Sequence, residues 1–95
     1  MDYQQFTASL EGDTPPDLGH PLLLALWHDA RGHWERAHDI AQDVDDPDGA
    51  WVHAYLHRVE GDNWNANYWY RRAGRSMPGL SLREEWEEIV RTFLE

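Results

Sequence analysis

Four positions of this chain recur after a shift of 29: Ala25, His28, Gly32 and Ala37 align with Ala54, His57, Gly61 and Ala66. Each unit reads as a helix, a turn opened by glycine and a second helix. A small residue five places after the glycine stands where the two helices must approach closely. A single helical hairpin cannot bury its own apolar face, so two such units are obliged to stack, with flanking helices to close the ends. The expected fold is all-α and a single domain over residues 1–95. It consists of antiparallel helix hairpins stacked as a short superhelix: hairpin 1 over about 18–44, hairpin 2 over about 48–74 and a C-terminal capping helix over about 82–94.

Apolar periodicity and end signals place the individual helices. Tyr3, Phe6 and Leu10 give a short helix over 2–10, stopped by Gly12 and by Thr14-Pro15-Pro16-Asp17. A strongly apolar helix, about 18–31, holds Leu22, Leu23, Leu24, Leu26 and Trp27, with Pro21 in its first turn. Trp34, Ala37, Ile40, Ala41 and Val44 mark a third helix, about 33–44. Asp46 or Asp48 caps a fourth, about 48–60, and Asp62 or Asn63 caps a fifth, about 63–74. Ser81 and Glu84 form a capping box ahead of Leu82, Trp86, Ile89, Val90 and Phe93. No segment sustains period-two alternation, so no sheet is expected.

Composition narrows the function classes. With 95 residues, six Trp, four Tyr and two Phe, one aromatic-rich core is attainable. There is no cysteine, which removes disulfides, thiolate metal sites and a cysteine nucleophile, and fits a cytoplasmic location. The longest apolar run, Leu22 to Trp27, is far short of a membrane span, and the N-terminus lacks the features of a secretory signal. A formal charge of −10 makes nucleic acid an unlikely partner, because phosphate backbones are repelled. The charge is uneven: Arg71, Arg72, Arg75 and Arg83 fall in a stretch from Asn63 to Arg83 that contains no acid, making one end locally positive.

Gly61-Asp62 followed by Ala66, Tyr70 and Ala73 resembles the second helix of a tetratricopeptide repeat. Gly32, Trp34 and Ala37 carry the same resemblance in the first unit, with Ala41 where an aromatic is usual. The resemblance covers about residues 18–75. Its departures are a period of 29, against about 34 in that family, and histidines (His28, His57) where the family usually has an aromatic. It implies a scaffold that binds a protein or peptide, and no catalysis.

In that family's arrangement the first helix of each hairpin lines a concave face. The resemblance thus places Leu26 and Asp29 beside Trp51, Tyr55 and Arg58, residue types that dominate binding hot spots. The alternative is that a terminal helix covers Trp51 and Tyr55. Arg71 and Arg72, next to Trp69 and Tyr70, offer a clamp for a carboxylate or other anion; alternatively they are solvated arginines favoured by the helix dipole. His53 and His57, four apart on one helix, suit a divalent transition metal, with His28 as a third ligand from the neighbouring hairpin. The alternative is a set of hydrogen-bonded core histidines. The acidic run Glu84, Glu85, Glu87 and Glu88 reads as a solvated helix face. The Asp43–Asp48 cluster lacks a calcium-loop pattern.

No phosphate loop, zinc-protease motif or nucleophile elbow is present, so no enzymatic role is expected. The sequence favours a non-enzymatic interaction scaffold with no cofactor. The alternatives are a His-lined metal or small-ligand protein and a self-associating homodimer.

Overall fold

A computed structural model describes all residues, Met1–Glu95. The chain is all-helical: α1 Tyr3–Ser9, α2 Pro21–Ala30, α3 Trp34–Gln42, α4 Pro47–Val59, α5 Asn63–Arg72 and α6 Leu82–Leu94. No helix is long and apolar enough to cross a membrane.

The helix ends explain the recurring glycines. After α2, Gly32 takes φ +81°. The N–H of His33 then donates to His28 O and that of Gly32 to Asp29 O, both at 2.9 Å. After α4, Gly61 takes φ +85°, and Asp62 and Gly61 donate to His57 O and Arg58 O at 2.9 and 3.1 Å. These are two copies of one glycine-terminated cap, each satisfying carbonyls that the helix itself leaves open. Each cap turns the chain in a few residues, so α2 packs back on α3 and α4 on α5, and α3 joins the two hairpins by packing on α4. Ala25, Ala37, Ala54 and Ala66 are fully buried, which allows the backbones to approach closely.

Helix starts follow side-chain caps. Asp46, Asp62 and Ser81 accept from the backbone N–H of Gly49, Asn65 and Glu84, and Glu84 returns a bond to Ser81. α2 begins three residues later than its periodicity indicates. Gly19 has φ +63°, and the ring of Pro21 holds His20 extended, so the imidazole Nδ1 of His20 becomes the cap and accepts from Leu22 N at 3.2 Å.

α6 does not extend the hairpin stack at α5. It packs on α2, α4 and α1, burying Trp86, Ile89 and Val90, and the Trp86 indole donates to Leu26 O at 3.1 Å. α1 closes the same side: Phe6 lies 5.9 Å from the Trp86 ring, and Arg31 on α2's end donates to Leu10 O and Gly12 O, both at 2.6 Å. The face on which Leu26, Trp51 and Tyr55 were expected to meet a ligand is therefore covered, and these residues are only 0, 2 and 4% exposed.

Candidate metal centre

The joint between the hairpins holds three histidines. α3 supplies His38, and α4 supplies His53 and His57 one turn apart. One ring nitrogen from each lies within 4.8 Å of the others. His38 Nε2 and His53 Nε2 are 2.9 Å apart, so one of these neutral rings donates its N–H to the lone pair of the other. The rings of His53 and His57 stack at 4.8 Å, and His38 stands edge-on to both at 4.6 and 5.3 Å.

Two tryptophans bracket the cluster. Trp34 stacks on His38 at 4.9 Å and Trp69 on His53 at 4.0 Å. Trp34 is fixed in turn, since its indole N–H donates to Leu56 O at 2.7 Å. His53 is buried, and His38 and His57 are half-buried. Burial, then the proximity of His38 and His57, pushes the His53 pKa down to about 4. Burial and then His57 also lower that of His38. Both rings are therefore neutral at neutral pH, the form that offers a lone pair to a metal.

His57 has a second contact. Its Nδ1 lies 2.7 Å from Glu60 Oε1. A carboxylate on one ring nitrogen fixes the tautomer and leaves the other nitrogen for coordination, the arrangement that supports metal-bound histidines. Tetrahedral ligation at about 2.0–2.1 Å per bond requires ligand nitrogens roughly 3.3 Å apart. His38 Nε2 and His53 Nε2 stand 2.9 Å apart and all three nitrogens lie within 4.8 Å, so a bound metal would replace the hydrogen bond between those two rings and draw the third nitrogen in. His53 and Trp69 also line an adjacent cleft of about 400 Å³, with Arg72 and Asp46.

His28, expected as a third ligand, is elsewhere. Its Nε2 accepts from Arg36 Nε at 3.1 Å, and its Nδ1 faces His33 Nδ1 at 3.4 Å. The cause is the repeat itself: His28 and His57 hold the same place in successive hairpins, and the ring of His28 is taken up by its own partner helix. His38 replaces it. The usable signal was Trp34 and His38 four residues apart, on the stripe of α3 that faces α4.

The other candidate residues fall into separate environments. Arg58 donates to Glu85 Oε1 at 2.9 Å and also to Leu80 O, while the indole of Trp51 donates to Glu85 Oε2 at 3.3 Å. The Tyr70 hydroxyl donates to the same carboxylate at 2.6 Å. Glu85, 1% exposed, thus organises a buried network, although the sequence presents it as part of a solvated acidic run. Asp29 lies against Tyr55, and burial raises its pKa to about 6. Arg71 and Arg72 are exposed on α5, with the Arg72 guanidinium over the Tyr68 and Trp69 rings at 5.7 and 5.1 Å.

Compared with protein-family models, curated proteins and solved structures, the chain matches none, and its function must be read from the histidine cluster and the surfaces around it.

Proposed function

We propose that the protein binds one divalent transition metal ion of the zinc class through His38, His53 and His57. The observation that carries this reading is the convergence of three imidazoles from two hairpins, with Glu60 orienting the third. Imidazole ligands suit zinc, copper and nickel and do not suit magnesium or calcium, which take oxygen. Three protein ligands leave a fourth position for water or a small ligand. The metal would tie hairpin 1 to hairpin 2, where a tetratricopeptide-like stack is held only by side-chain packing.

Titration of the protein with Co²⁺, followed by visible absorption, tests the proposal. The expected result is a tetrahedral cobalt spectrum saturating at one ion per chain, displaced by Zn²⁺, and lost in His38→Ala and His53→Ala. Glu60→Gln should keep the spectrum while weakening affinity about 10–100-fold. A spectrum unaffected by His53→Ala, or no spectrum at all, rejects the site. His28→Ala should leave it unchanged.

A further inference from the structure

α5 is the open end of the helix stack. Its backbone packs along α4, and it reaches α6 through the buried Tyr70–Glu85 hydrogen bond, while α6 itself lies over α2 and α4. The free side of α5 carries an aromatic ladder. Trp64 is 75% exposed, and its ring lies nearly parallel to that of Tyr68, at 10° and 6.4 Å. Tyr68 meets Trp69 edge-on at 5.3 Å, and Arg72 covers both rings while its Nη1 approaches the Tyr68 hydroxyl at 3.4 Å. Positions 64, 68 and 72 are successive steps of one stripe about 12 Å long.

A tryptophan this exposed at the unpaired edge of a stack has the properties of a binding anchor. A terminal helix of a stacked array normally turns a polar face outward; α5 does so with Asn63, Asn67, Arg71 and Arg72, but sets Trp64 and Tyr68 among them. Charge identifies what fits. Arg71, Arg72 and Arg75 lie in a stretch free of acid, on a chain of net charge −10, and Arg71 and Arg72 form no ion pair within the chain. Two copies that each carry a net charge of −10 repel one another, so overall charge opposes a symmetric pair. A long polyanion such as nucleic acid is repelled by the rest of the molecule. A short acidic segment laid along α5 meets Arg71 and Arg72, with Asp45 and Asp46 set back across the cleft beside Arg72.

We infer that the outer face of α5 docks an acidic amphipathic helix of a partner protein. Its apolar residues lie on Trp64 and Tyr68, and its carboxylates pair with Arg71 and Arg72. The bound helix continues the stack as the next helix would. The Arg72 guanidinium carbon lies 5.7 and 5.1 Å from the Tyr68 and Trp69 ring centres, and one of its N–H groups donates to the Tyr68 hydroxyl, so its remaining donors serve a carboxylate laid beside those rings.

The test is fluorescence anisotropy with a labelled synthetic amphipathic helix of Leu, Ala and Glu, its Glu-to-Gln counterpart and a thymidine oligonucleotide, all with metal chelated. The metal proposal and this one then stand or fall separately. Saturable binding of the Glu peptide is expected, weakened about tenfold or more by Trp64→Ala, by Arg72→Gln and by the Gln counterpart, and weakened by added salt. Both side chains are exposed, and circular dichroism of each variant confirms that the fold persists. Absence of binding by the Glu peptide, equal binding by the Gln peptide, or binding unaffected by either substitution overturns the proposal. So does tighter binding of the oligonucleotide, or a dimer in sedimentation equilibrium that Trp64→Ala converts to monomer.

Discussion

Two carboxylates carry the clearest residue-scale consequences. Glu85 receives Trp51, Arg58 and Tyr70 in the interior. Its removal leaves the Tyr70 hydroxyl and the Trp51 indole N–H without that partner, and the Arg58 cation with only the Leu80 carbonyl and no countercharge. Glu85→Ala should therefore destabilise the fold by about 3–5 kcal/mol, read as a lower urea midpoint; a loss below about 1 kcal/mol would mean that water replaces the carboxylate. Asp29 acts in the opposite sense. Its folded pKa is raised from 3.8 to about 6, so the folded state holds the proton more tightly than the unfolded chain. The cost is absent below pH 4, grows between about pH 4 and 6, and is constant above. Asp29→Asn should accordingly be more stable than wild type at pH 7, by on the order of 1–2 kcal/mol once partial exposure is discounted, and no more stable at pH 4. Urea midpoints at the two pH values measure this, and an advantage of the same size at both would reject it. In the sequence, Glu85 was hidden among four glutamates. The position that separates it is its helical register with Ile89, one turn on, which puts it on the buried stripe of α6 while Glu84, Glu87 and Glu88 turn outward.

At the scale of elements, the duplicated glycine caps hold each hairpin closed. Gly61 sits at φ +85°, a conformation that costs an L-residue about 1–2 kcal/mol. Gly61→Ala should lower stability by that amount without altering the helical content at low temperature. Circular dichroism melting checks both, and a stability unchanged from wild type would mean that the turn relaxes to another geometry. These caps were legible in the sequence because glycine at a helix end has one conformational reason to be there. The six helices were legible too, since their apolar periods and cap residues are local. The seat of α6 was not. Its apolar stripe, with Leu82, Trp86, Ile89 and Val90, is complementary to any apolar face, and local pattern does not choose between extending the stack at α5 and closing the groove over α2 and α4. That choice decided the fate of Leu26, Trp51 and Tyr55. It also left Trp64 uncovered.

For the whole molecule, the histidine cluster and the packing of the two hairpins are one problem. His38 belongs to hairpin 1, and His53 and His57 to hairpin 2, so the three nitrogens converge only when the hairpins are stacked. An unfolded chain has no such convergence and binds metal weakly through isolated imidazoles. A ligand that prefers the native state stabilises it by mass action, about 2.7 kcal/mol when free metal is one hundred times its dissociation constant. In a domain of this size that corresponds to a rise in Tm of roughly 10–20 °C. Calorimetry with and without Zn²⁺ should show this rise in the wild-type protein and in His28→Ala, whose ring lies outside the cluster. The rise should shrink to near zero in His53→Ala. His38→Ala is the sharper comparison, because it leaves the i, i+4 pair on α4 intact and removes only the ligand that crosses between hairpins. If Zn²⁺ stabilises His38→Ala as much as wild type, the metal is held by α4 alone and does not join the two halves of the molecule.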